Sequence, residues 1–163
     1  MGFKVALVVL IALAAAAAAP ASPPRHAKVL VRSMALGNVL VDARGHTLYL
    51  FEADRGTKSA CYGQCAAAWP PFLTSGAPVT GAGVKKSLLS TAKRKDGTLQ
   101  VVYAGHPLYF FGADTRAGQA KGEGIDHFGG VWYAVNASGE KVGKPSPPAT
   151  TTDGGGGYGG YGP

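Results

Sequence analysis

Two histidines, His46 and His106, stand beside glycines at a constant offset of 60 residues, and Asp54 and Asp114 follow at the same offset. Neutral imidazole is the commonest protein ligand for transition metals. If the two loops carrying His46 and His106 converged, with His127 and Asp126 nearby, they could form a metal site. A histidine on a turn is more often an exposed turn residue, so His46 and His106 are candidates only, and no metal or cofactor is assigned. Asp54 and Asp114 could hold a cation together with backbone carbonyls, but calcium sites gather several acidic groups and these loops lack that density. A carboxylate that caps the following turn by accepting backbone N–H bonds is the preferred reading. The glycine-rich stretch around Gly118, Gly122, Gly124, Gly129 and Gly130 contains no G-x-x-x-x-G-K-[ST] phosphate loop. No G-x-S-x-G elbow occurs, and no local grouping nominates a nucleophile with its base. The expectation is a non-enzymatic protein with no catalytic residues.

These residues lie in a duplicated segment. Residues 41–54 read VDARGHTLYLFEAD and residues 101–114 read VVYAGHPLYFFGAD. Val, Gly, His, Leu, Tyr, Phe, Ala and Asp recur in register without a gap, which marks an internal repeat. Each copy reads as a β-hairpin. In the first, Val39–Val41 and Thr47–Phe51 are strands around a turn at 42–46. In the second, Thr98–Tyr103 and Pro107–Phe111 flank a tight turn at Ala104-Gly105-His106. Gly45 and Gly105 suit the positive φ of such turns. The period of two puts Tyr49 and Phe51 on one face, and Leu48 and Leu50 on the other. An apolar segment opened by tryptophan follows each hairpin, at Trp69–Leu73 and Trp132–Val135. Lys85–Thr91 reads as a strand that returns through Asp96-Gly97, and Glu140–Val142 as a short closing strand. Cys65–Trp69 is the one helical candidate. The fold class expected is mainly β, a small sandwich or barrel of two repeated hairpin units with pseudo-twofold symmetry and little helix.

The ends of the chain read differently. Val5–Ala19 is an apolar run behind Lys4, too short for the roughly 20 residues that span a bilayer, and Ala19-Pro20-Ala21 at its end fits a small-residue cleavage site before Ser22. Residues 1–21 read as a signal peptide. Residues 144–163, rich in Pro, Thr and Gly, hold little to bury and read as a disordered tail. That leaves residues 28–143 as one domain, with repeat one at about 36–75 and repeat two at about 98–136. No cysteine follows the apolar run, so the mature chain should be a soluble secreted or cell-envelope protein. In that compartment the only two cysteines, Cys61 and Cys65, read as a disulfide. A redox dithiol has two intervening residues rather than three, and haem attachment needs a histidine where Ala66 stands. The net charge of +7 suggests acidic envelope polymers as partners. The densest cluster is Lys85, Lys86, Lys93, Arg94 and Lys95; it reads as a solvated hairpin flank and lacks the interleaved aromatics of a nucleic-acid platform.

Tyr49-Leu50-Phe51-Glu52-Ala53-Asp54 and Tyr109-Phe110-Phe111-Gly112-Ala113-Asp114 both fit Y-x-[FWY]-x-x-D. With Gly45–Tyr49, Cys61–Ala66, Trp69-Pro70-Pro71 and Phe128–Tyr133, they make the chain resemble the bacterial secreted repeat of unknown function family. Its members are also described as predicted lipoproteins with a Yx(FWY)xxD motif. The resemblance covers about residues 36–136. It implies an envelope or extracellular location and tandem repeats, and no established activity; the lipobox cysteine is absent here. Together these readings give a secreted or envelope-associated binding or structural repeat protein. Its motif residues would be Tyr49, Phe51, Asp54, Tyr109, Phe111 and Asp114. The alternative is a metal- or cofactor-binding module in envelope redox processes.

Overall fold

The computed structural model describes residues 26–143; the expected signal peptide (1–21) and tail (144–163) lie outside the described residues. The chain opens with a hairpin of β1 (Lys28–Met34) and β2 (Gly37–Asp42), paired so that Leu30 faces Val41. Its turn closes on Gly37 at φ 103°, a conformation glycine adopts without strain. Next come β3 (Tyr49–Phe51), the five-residue helix α1 (Gln64–Ala68), and the short strands β4 (Leu73–Thr74) and β5 (Val79–Thr80). After them, β6 (Leu89–Lys93) and β7 (Leu99–Tyr103) form a second hairpin, followed by β8 (His106–Pro107) and β9 (Trp132–Ala134). The sheets are small: β2-β1-β5, β3-β9, and β4-β7-β6 with β8 beside β7. The fold is mainly β, and among the described residues no sheet closes into a barrel.

Helix α1 forms where three alanines, good helix formers, follow Gln64 and Cys65. It stops at Trp69 because Pro70 disfavours the helical conformation of the residue before it.

Several expected boundaries change. β1 is a strand beyond those expected from the sequence. Lys85–Thr91 is not one strand: a 3-10 turn occupies Lys86–Leu88 and β6 begins at Leu89. The second-repeat strand Pro107–Phe111 shrinks to β8 plus a bridge at Tyr109, and Glu140–Val142 to a single bridge between Val135 and Lys141. Thr47 makes only an isolated bridge to Val41.

The alternation of residue types explains why such short strands hold. Val39, Val41, Tyr49, Phe51, Tyr109, Trp132 and Ala134 pack into one core with Trp69 and both cysteines. Leu40, Leu48, Leu50, Leu108 and Val135, the intervening positions, pack into a second core with Val29, Phe72, Val101 and Tyr103. Both faces of the central strands are therefore buried, and every second residue serves a different core. At the centre the two motifs lie side by side: Tyr49 and Tyr109 exchange both backbone N–H···O bonds at 2.9 Å. Outside them the pairing crosses between repeats. β9, from repeat two, pairs with β3 of repeat one. The Pro70–Phe72 segment of repeat one pairs with the second motif, Phe72 N–H to Leu108 O at 2.9 Å and Phe110 N–H to Pro70 O at 2.8 Å.

Candidate functional site

The side chains of the duplicated motif also cross over. The Tyr49 hydroxyl donates to Asp114 Oδ2 at 2.5 Å, and the Tyr109 hydroxyl donates to Asp54 Oδ2 at 2.8 Å. Each carboxylate also accepts a backbone N–H from the loop after its own motif, Ala60 at 2.7 Å for Asp54 and Lys121 at 2.9 Å for Asp114. Both phenol rings are fully buried. Burial, then the neighbouring carboxylate, pushes both phenol pKa values well up, so both hydroxyls keep their protons and act as donors. Burial raises the Asp54 carboxyl to about 6, against the opposing pull of the Ala60 N–H, the Tyr109 hydroxyl and Arg94.

The aromatic rings interleave in the same manner. Phe51, Trp132, Trp69 and Phe111 form one stack, with successive centroids 4.0, 4.0 and 4.2 Å apart, so neighbours in the stack come from alternate repeats. Tyr49 meets Trp69 edge-on at 5.4 Å and Tyr109 meets Trp132 edge-on at 5.1 Å, the arrangement that aromatic quadrupoles favour. Gly122 sits where a Cβ would lie 2.7 Å from the Trp69 ring and 2.9 Å from that of Tyr49. Its N–H donates to the Tyr49 hydroxyl at 3.2 Å.

The two Tyr–Asp pairs differ in their surroundings. Beside Tyr109 a polar chain continues: its hydroxyl lies 2.7 Å from Ser59 Oγ, which accepts from Arg94 Nη1 at 3.0 Å. Arg94 also donates to Gln100 Oε1 at 2.6 Å and to the Cys61 carbonyl at 2.7 Å. Arg94 is 5 % exposed, which corrects its reading as part of a solvated flank. A buried guanidinium is tolerated when its donors find acceptors; here Ser59, Gln100 and the Cys61 carbonyl serve its two terminal nitrogens, while Nε, 3.6 Å from Asp96 Oδ2, makes no hydrogen bond among the described residues. Ser59, Arg94 and Gln100 were missed as a group. The available signal was Gln100, a polar residue at an inward position of the otherwise apolar strand β7.

The remaining candidates are dispersed. His46 lies 3.6 Å from Asp42 Oδ2, on a turn where the other Asp42 oxygen accepts the Arg44 and His46 N–H groups at 2.9 Å. It also borders a cleft of about 200 Å³ with Phe110 and Asp114. His106 is half-buried near Lys141, and burial followed by that ammonium lowers its pKa. Among the described residues no group of three or more His, Cys, Asp or Glu side chains is placed to hold a metal ion. Cys61 and Cys65 are joined, with Cα atoms 5.2 Å apart, across the start of α1.

A sequence profile described as secreted repeat of unknown function matches residues 31–72 and 90–136, more than half of the chain. The chain belongs to that family. The two matched segments each contain one copy of the motif, so the crosswise bonds of this secreted repeat join one family unit to the other. No curated protein and no solved structure matches the chain. No helix among the described residues of this secreted repeat is long and apolar enough to cross a membrane.

Proposed function

We propose that this secreted repeat is an extracytoplasmic, non-enzymatic binding and structural module whose partners are acidic polymers of the cell envelope. One observation carries the reading: the chemically capable side chains of the motif are committed to one another. Tyr49 and Tyr109 are buried donors, and Asp114 and Asp54 each accept a phenol and a backbone N–H. Used in this way they join the two repeats, and none is presented as a nucleophile with a base beside it. The described residues carry an excess of positive charge, 13 Lys and Arg against 8 Asp and Glu over residues 26–143, which favours acidic partners.

The test is to mix the mature protein, made without an affinity tag, with isolated envelope polymers. Sedimentation should show the protein carried down with them, and the recovered polymer should keep its length on size exclusion. Shortening or modification of the polymer that disappears in a folded Asp114→Asn variant would make the protein an enzyme. Stoichiometric metal in the same preparation would instead favour a metal-binding module.

A further inference from the structure

We propose that a cleft between the loop before α1 and the β6–β7 turn is the site that takes an acidic polymer, a linear chain bearing repeated phosphate or carboxylate groups. This rests on the reading above and names the place where binding occurs. The cleft, about 410 Å³, is lined by Lys58, Ser59, Tyr62, Lys93, Arg94 and Lys95. Four of these six side chains are cationic. The ion pair recorded there is Arg94 with Asp96 at 3.6 Å; among the described residues Lys58, Lys93 and Lys95 have no carboxylate within pairing distance.

The floor of the cleft is rigid. Arg94 is held by Ser59, Gln100 and the Cys61 carbonyl, and its guanidinium lies 4.3 Å over the Tyr62 ring. The Lys95 backbone N–H donates to the Tyr62 hydroxyl at 3.2 Å, and its ammonium lies 5.4 Å from the same ring. A charge fixed in a partly desolvated floor is screened less than one at the surface. Asp96 offsets part of that charge, and the three lysines at the rim supply the unpaired positive field. Those lysines rise from separate places, Lys58 from the 55–58 turn, Lys93 from the end of β6 and Lys95 from the β6–β7 turn. Ammonium groups spaced around an open cleft suit a chain with repeated charges better than a single small ion. The disulfide between Cys61 and Cys65 ties down the wall that carries Tyr62.

The experiment is isothermal titration calorimetry on the untagged mature protein with inorganic polyphosphate, polygalacturonate and uncharged dextran, at low and at high salt. At least one acidic polymer should bind, more weakly as salt rises, while dextran does not; which of the two binds better tells phosphate from carboxylate recognition. Lys58→Gln/Lys95→Gln should weaken that binding about tenfold. Lys85→Gln/Lys86→Gln removes the same charge outside the cleft and should change it less than about twofold. Melting of both variants checks that the fold is intact. Equal weakening by the two variants would overturn the cleft while leaving an acidic partner for the protein as a whole. If neither acidic polymer binds the unaltered protein, the cleft and the acidic-partner reading both fall.

Discussion

Asp54 and Asp114 look alike in the sequence and do the same work in the fold, yet each does it for the other repeat's tyrosine. A double-mutant cycle tests this crossing directly. Tyr109→Phe combined with Asp54→Asn should show a coupling of about 1 kcal/mol in denaturant unfolding, whereas Tyr109→Phe combined with Asp114→Asn should be additive. The reverse result would place each bond within its own repeat. The raised pKa of Asp54 sets a second expectation. A carboxyl whose folded pKa lies above its unfolded value contributes stability that is complete below the unfolded pKa and lost as pH rises through the folded one. Between about pH 4 and pH 6, the Tm of the unaltered protein should therefore fall with rising pH relative to that of Asp54→Asn. Parallel profiles would remove Asp54 as the cause. The identities of these residues were legible in the repeat itself. Their partners were not, because two equal copies make equal demands whether a bond closes within a copy or between copies.

The strand elements were readable where the duplicated motif and its glycine turns marked them, as at β2, β3 and β7. The reading failed where a strand lies outside the duplicated motif or where pairing is reduced to a single bridge. The run KVLV of β1 precedes the motif and buries only Val29 fully, and Tyr109 is held by reciprocal bonds to Tyr49 rather than by a long ladder. The buried Arg94 was hidden by its neighbours Lys93 and Lys95, since a charge run carries no mark of which member turns inward. Close approach of elements gives another prediction. At Gly122 an added methyl meets two aromatic rings that cannot swing aside, and Gly122→Ala should cost roughly 1–3 kcal/mol in denaturant unfolding. Unchanged stability would show that the 114–124 loop can lift away from the core. Removing the bridge by Cys61→Ala/Cys65→Ala should cost about 2 kcal/mol, the modest entropy of so short a loop, with the melt remaining cooperative.

Across the whole molecule, the exchanged strands, rings and carboxylates make the repeats dependent on each other. Residues 26–84 alone would keep Tyr49 without Asp114 and β3 without β9; residues 85–143 would keep Tyr109 without Asp54. Neither half should give a cooperative thermal melt by far-UV circular dichroism, and a half that does would show that a repeat can complete its own core. This dependence explains why duplication was the most visible feature of the sequence and its geometry the least. Similarity along a chain shows that two segments share a shape, whereas the interleaving is fixed by packing between them.

The stacked pair of Trp69 and Trp132 gives that interleaving an optical signature. They are the only two tryptophans, they come from different repeats, and their rings lie 4.0 Å apart and 5° from parallel. At that separation the electronic transitions of the two indoles couple, so each ring reports the presence of the other. Near-ultraviolet circular dichroism should carry the coupled signal only while the repeats are engaged, and it should vanish in either single Trp→Phe variant. Assembly of one repeat upon the other can then be timed during refolding without attaching any label.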